Sequence, residues 1–185
     1  MFDGASRLFV ERGWAGTSMR DIAREAGCSV ETIYSNFGNK PALLKSVIDV
    51  AVVGDDAEVS LGDRQWFHID DNHPLHERVD ELANVAASIY RRTARLRRAL
   101  DIGAENNAEL RELDTKCRRD ERISRTALIA EAISRPLTEV EADGMQGVFS
   151  NEMYLLLTER SGWSHEEYRN WAAASVLRLL DLHEE

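Results

Sequence analysis

Cysteine is scarce in this chain: Cys28 and Cys117 are the two among 185 residues. They lie far apart and in no metal or redox spacing, which excludes a disulfide scaffold and leads us to expect reduced cytoplasmic thiols. Proline is nearly as rare. Pro41 and Pro74 stand where a first helical turn tolerates them, and Pro136 separates two helical patterns. No run of alternating β-branched residues marks a strand. The longest apolar run, Met153 to Leu157, falls far short of the roughly 18–20 residues needed to cross a bilayer, so no membrane partner is expected. The N-terminus lacks a basic stretch followed by an apolar one, so no secretion signal is expected. Phosphate-loop glycine patterns and the GxSxG elbow are missing, and nothing assembles a nucleophile, base and oxyanion hole. We therefore expect neither an enzyme nor a cofactor.

What is present is the composition of a globular domain, 43% hydrophobic and 30% charged. The net charge of -10 argues against nucleic acid at first sight, since phosphates are neutralised by Lys and Arg. The charge is unevenly placed. Up to Ile48, Arg7, Arg12, Arg20, Arg24, Lys40 and Lys45 face Asp3, Glu11, Asp21, Glu25 and Glu31. The first quarter is close to neutral, and the remainder carries nearly all the negative excess.

The apolar spacing is helical almost throughout. Ala5, Leu8, Phe9 and Arg12 mark a helix ending at Gly13. Ser18-Met19-Arg20-Asp21 reads as a capping box that opens a second helix, which runs to Ala26 and stops at Gly27. Ser29 caps a third helix through Phe37, and a fourth starts near Lys40 with Leu43, Leu44, Val47 and Ile48 on one side. The stretch from Gly54 to His73 reads as a connection, with Trp66 and Phe67 as anchors. Beyond it, 3-4 stripes begin at Leu75 and at Leu110. Val140, Met145, Val148, Phe149 and Tyr154 predict one helix after Pro136, and Tyr168 to Leu179 the last.

Thr17 to Lys40 is the informative stretch. Two short helices meet at a tight turn: Ala23 allows close approach and Gly27 lets the backbone turn without a Cβ clash. Such a helix-turn-helix places the N-terminal residues of its second helix against base edges in the major groove. Here those are Val30, Glu31 and Thr32, with Tyr34 and Ser35 beside them.

These residues resemble the tetracycline-repressor (TetR) family. The match rests on Phe9 and Gly13, the run Thr17 to Ala23, Ala26-Gly27, Ser29, Thr32, Ile33-Tyr34, Phe37, Lys40 and Ala42-Leu43-Leu44. Glu152 to Leu157, Gly162-Trp163-Ser164 and Tyr168 resemble the C-terminal domains of some members. The resemblance implies an all-α fold. A three-helix DNA-binding head over residues 1–48 would precede a helical effector-binding and dimerisation body over 49–185. It implies a regulator, most often a repressor, that binds a palindromic double-stranded operator as a homodimer in the cytoplasm and lets go when a small effector binds. Carried onto this chain, base-reading falls to Val30, Glu31, Thr32, Tyr34 and Ser35. Contacts to the DNA backbone fall to Thr17, Ser18, Thr32, Tyr34, Asn36 and Lys40. Dimerisation would use the last two helices, about Pro136 to Arg160 and Ser164 to His183. The sequence opens at Met1-Phe2-Asp3 inside the first helix, without the basic residues that often precede it in the family; either this start is short or the protein makes fewer phosphate contacts. Glu31 also departs, since a groove-facing carboxylate is repelled by phosphates yet can accept from a cytosine amino group.

In the resembling family the effector lies within the body. Candidates by residue type are Tyr90, Phe149, Met153, Tyr154 and Trp163, with Glu105, Asn106, Asn151 and Glu152 as polar partners. Apolar pockets with few polar groups suit hydrophobic or amphipathic molecules. Arg91, Arg92, Arg95, Arg97 and Arg98 read as a solvated basic face. His68, His73 and His76 with Asp70 and Asp71 match no closed zinc spacing, and we expect loop histidines rather than a metal site. Two rival readings remain: an interaction module that keeps the fold without DNA, and an enzyme with a helical body.

Overall fold

Helix boundaries in the computed structural model follow the capping residues closely over the first fifty positions. The structure describes residues 1–55, 57, 59 and 61–182. Helix α1 (Phe2–Arg12) buries Ala5, Leu8 and Phe9 and ends at Gly13. Helix α2 (Met19–Ala26) opens on the Ser18–Asp21 capping box and closes at Gly27, whose φ of 66° lies in the left-handed region. Helix α3 (Val30–Phe37) starts at Ser29, whose hydroxyl accepts from the Thr32 N–H. Helix α4 (Lys40–Val53) is capped by Asn39, which accepts from the Ala42 N–H at 2.8 Å. Two single 3-10 turns, Leu61–Asp63 and Gln65–Phe67, lie in the connection that follows. There Arg64 is buried and its guanidinium donates to the carbonyl of Val59. Helices α5 (Leu75–Ala104) and α6 (Ala108–Ala132) are long. Among the described residues there is no strand, and no helix is long and apolar enough to cross a membrane.

The chain divides into two units, and the division is not a single cut. One unit comprises Met1–Asp56 with Arg95–Arg118, so the end of α5 and the start of α6 belong with α1 to α4. Its core joins Phe9, Ile22, Ile33, Leu43 and Leu44 to Leu96, Leu100 and Leu110, all fully buried. The side chain of Asn39 donates to Glu109 at 2.7 Å, and buried Arg97 pairs with Asp114 at 3.0 Å.

The other unit comprises Ala57–Ala94 with Arg119–Glu185. Its core is built from Val79, Leu82, Ala83 and Ala87 of α5, Leu128, Ile129 and Ala132 of α6, and the helices that follow. Helix α7 (Glu139–Val148) starts on a capping box of Thr138 and Glu141. Arg135 holds the Glu141 carboxylate bidentately, and this hydrogen bonding, with that from Thr138, pulls its pKa down to about 2. The single helix expected from Pro136 to Arg160 is broken. Phe149 leaves helical geometry (φ -102°, ψ 79°), and Ser150 caps a new helix by accepting from the Met153 N–H. Helix α8 (Asn151–Leu155) continues as a π-helical turn over Leu156–Arg160. Val140, expected on the buried stripe, is 82% exposed, because at about 100° per residue it stands well off the face on which α7 buries Ala142, Met145 and Val148. Helix α9 (His165–Leu179) opens on a Ser164–Glu167 capping box and buries Tyr168, Ala172, Ala173 and Val176. His183, the expected end of the last helix, lies outside the described residues.

Candidate nucleic-acid interface

Helix α3 has one fully buried side chain, Ile33, and it anchors the helix to the core of its unit. Phe37 is half-buried, with its ring edge-on to Phe2 at 6.0 Å. Val30 is also half-buried, packed on the same core rather than fully outward. Glu31, Thr32, Tyr34, Ser35 and Asn36 are exposed, so one helix face is presented to solvent along its length. The leading turn is tied locally: Ser29 and Thr32 hydroxyls lie 3.0 Å apart, and Ser35 donates to the Thr32 carbonyl. Hydrogen bonds from its own N–H and from Ser29 lower the pKa of Glu31, so its carboxylate is a charged group drawn back to the start of α3.

The expected backbone contacts divide. Ser18 is exposed at the start of α2, with its hydroxyl 2.6 Å from Asp21. Thr17 is 2% exposed, and its hydroxyl faces the carbonyls of Leu8 and Gly13 at 3.0 and 2.9 Å. Its side chain therefore locks the end of α1 from within rather than facing outward. Lys40 is half-buried. Its ammonium sits 3.8 Å from the centroid of the Trp14 ring and donates to the Trp14 carbonyl at 2.5 Å, and burial lowers its pKa. Sequence reasoning missed Trp14 altogether; its one local signal is its position directly after the helix-ending Gly13.

The nine effector candidates divide between the two units. Glu105 and Asn106 are exposed at the turn between α5 and α6, in the first unit. The other seven belong to the second unit, where Phe149, Asn151 and Tyr154 are buried, Met153 and Trp163 half-buried, and Glu152 exposed. Tyr154 meets Tyr168 edge-on at 4.9 Å, Tyr90 lies 6.2 Å from Tyr154, and Trp163 packs edge-on to Trp171. Polar groups interrupt this aromatic wall. Tyr154 and His165 share a hydrogen bond at 3.2 Å, and Arg125 donates to the Phe149 carbonyl at 3.0 Å. Burial pushes the Tyr90 phenol well above its usual range, with Arg125 opposing. Among the described residues no group of three or more His, Cys, Asp or Glu is placed to hold a metal.

An all-helical chain whose head carries a capped helix-turn-helix with an outward second helix has the fold of a helix-turn-helix transcriptional regulator. Residues 2–47, the head of this chain, match the family model described as bacterial regulatory proteins, tetR family. The HTH-type transcriptional repressor ComR of Escherichia coli K12 is 36% identical over 47 residues, a stretch that is 25% of this chain and 22% of that repressor. Three solved structures share the overall fold. A transcriptional regulator from Rhodococcus sp. Rha1 is 16% identical with a TM-score of 0.66, over 97% of this chain and 94% of that one. NalD, the secondary repressor of the MexAB-OprM multidrug efflux pump in Pseudomonas aeruginosa, is 18% identical with a TM-score of 0.65, over 96% and 91%. PfmR, a TetR-family regulator from Thermus thermophilus, is 18% identical with a TM-score of 0.62, over 96% of each chain.

Proposed function

We propose that this protein is a transcriptional regulator that binds a palindromic operator as a homodimer, represses, and is released by a small hydrophobic or amphipathic effector. The observation that carries the reading is the face of α3 formed by Glu31, Thr32, Tyr34, Ser35 and Asn36, exposed above a buried Ile33. A helix held by one core anchor, with its N-terminal turn outward, can enter a major groove. Thr32, Tyr34 and Ser35 then reach base edges; Glu31 favours a cytosine amino group over a phosphate. Ser18, Asn36 and Lys40 contact the sugar-phosphate backbone, while Thr17 supports them from inside. The aromatic wall of the second unit, with Asn151, Tyr154 and Arg125 as its polar interruptions, is where an amphipathic effector is taken. Two copies paired through α7, α8 and α9 place their α3 helices in successive grooves about 34 Å apart, and effector binding favours another spacing. The coupling is reciprocal, so operator DNA weakens the effector by the same factor.

A mobility-shift titration with the fragment upstream of its own gene tests this. Binding should weaken steeply as salt rises from about 50 to 200 mM, and Lys40→Ala should flatten that dependence by about one charge. No salt-sensitive binding to any genomic fragment would leave an interaction module of the same fold.

A further inference from the structure

The first unit contains one three-way contact that a DNA-reading helix does not require. Trp14 stacks on Phe9 with the rings 7° from parallel and 6.2 Å apart. Lys40 reaches across from the start of α4, with its ammonium over the Trp14 ring and bonded to the Trp14 carbonyl. Near the end of α5, buried Gly103 approaches the same tryptophan. A Cβ on Gly103 would lie 2.9 Å from Trp14 Cγ, 3.1 Å from Trp14 Cβ and 2.6 Å from Leu110 Cδ1. The leucine methyl is the tip of a flexible side chain and can swing away. The root of the indole, pinned between Phe9 and Lys40, cannot. Alanine is the better helix former, so glycine here costs α5 helical stability and gains close approach to Trp14.

We propose that Trp14 is a positioning residue for Lys40, and that the end of α5 sets where Trp14 stands. The inference rests on the DNA-binding reading above and assigns that reading a residue. A lysine that rotates freely must give up rotamer entropy when it meets a phosphate; one already held against a ring gives up less. The hold uses one of the ammonium's three donors for the Trp14 carbonyl and leaves two for a phosphate. A shift of the α5 end against the α1–α2 loop moves the indole, and Lys40 moves with it. The contact thus links the placement of the α5 end to a phosphate-binding cation without touching α3.

A double-mutant cycle on DNA affinity tests this. The probes are the fragment upstream of the gene and a scrambled duplex of equal length. Trp14→Leu should weaken binding to both by about fivefold, because the loss is in a sequence-blind contact. The same substitution in a Lys40→Met background should cost nothing further. Gly103→Ala should reproduce part of the loss, again only while Lys40 is present. A readout without DNA accompanies it. The Lys40 εCH2 protons should resonate upfield in the parent from the indole ring current, move toward ordinary values in Trp14→Leu, and keep part of the shift in Trp14→Phe. Additive effects of Trp14→Leu and Lys40→Met, or unshifted εCH2 protons in the parent, overturn the inference while leaving the regulator reading intact. Absence of salt-sensitive binding by the parent overturns both. Should Trp14→Leu fail to fold, the parent spectrum and the Trp14→Phe cycle still decide.

Discussion

Thr93 and Asn151 meet inside the second unit, hydroxyl to amide oxygen at 3.0 Å, with both residues buried. The Thr93 hydroxyl also lies 2.9 Å from the Ile89 carbonyl one turn back. This pair ties α5 to the first turn of α8. Thr93→Val keeps the shape and removes the hydroxyl, leaving the Asn151 amide buried and short of a partner. We expect a loss of about 1–3 kcal/mol, a fall in Tm of roughly 3–10 °C, with Thr93→Ser close to the parent. Thermal melts followed by circular dichroism measure it. A valine variant as stable as the serine variant would show that the bond contributes nothing.

Gly27 closes α2 at φ 66° and ψ 30°, with open space where a Cβ would stand. Only backbone strain therefore opposes a side chain there. Gly27→Ala should cost about 1 kcal/mol, and Gly27→Asn clearly less, since asparagine tolerates the left-handed region. Urea midpoints of the three proteins order the effect. Equal midpoints for alanine and asparagine would point to a contact rather than strain.

These two sites differ in how visible they are in the sequence, for a physical reason. Ser18, Gly27, Ser29 and Gly38 act on backbone groups within four residues of themselves, so the sequence alone locates α2 and α3. The same local logic was available at Ser150, which accepts from the Met153 N–H. There the apolar spacing of Met145, Val148 and Tyr154 fits one continuous helix, and the cap was hidden behind it. Tertiary neighbours decide the remainder. Thr17 looks outward by type and is turned inward by the end of α1. Trp14 gains its meaning from Lys40 and Gly103, which are distant in sequence. Glu105 and Asn106 share polar character with Asn151 and Glu152 but belong to a different unit. Composition cannot tell them apart.

Tyr34 is 50% exposed on α3, and Ile33 beside it is fully buried. The two adjacent residues should separate recognition from folding. Tyr34→Ala should change stability by less than about 0.5 kcal/mol, and it should weaken operator binding roughly tenfold or more. Ile33→Ala should cost about 2–5 kcal/mol and lose binding by unfolding the head. Parallel melts and operator titrations on both variants check this. A Tyr34→Ala protein that melts early, or that binds every duplex as the parent does, would remove Tyr34 from the reading face.

His73 sits among Asp70, Glu77 and Glu81, with Nδ1 2.7 Å from the Glu81 carboxylate. The hydrogen bond to Glu81 is the largest influence and raises its pKa; desolvation opposes it, and the charges of Glu81, Asp70 and Glu77 add to the rise. The folded state therefore binds the proton more tightly than the unfolded chain, whose histidine titrates near 6.5. Stability from this contact is fully present below that value and fades as pH rises through the higher folded one. The same carboxylates hold the connection ahead of α5, since the Asp70 N–H donates to Glu81 at 3.2 Å. His73→Asn should accordingly melt below the parent at about pH 6 and alongside it at about pH 8. Glu81→Gln should shrink the difference between the two pH values in the same direction. A parent–variant gap that widens toward alkaline pH would mean that the neutral imidazole, not the imidazolium, is the form the fold prefers.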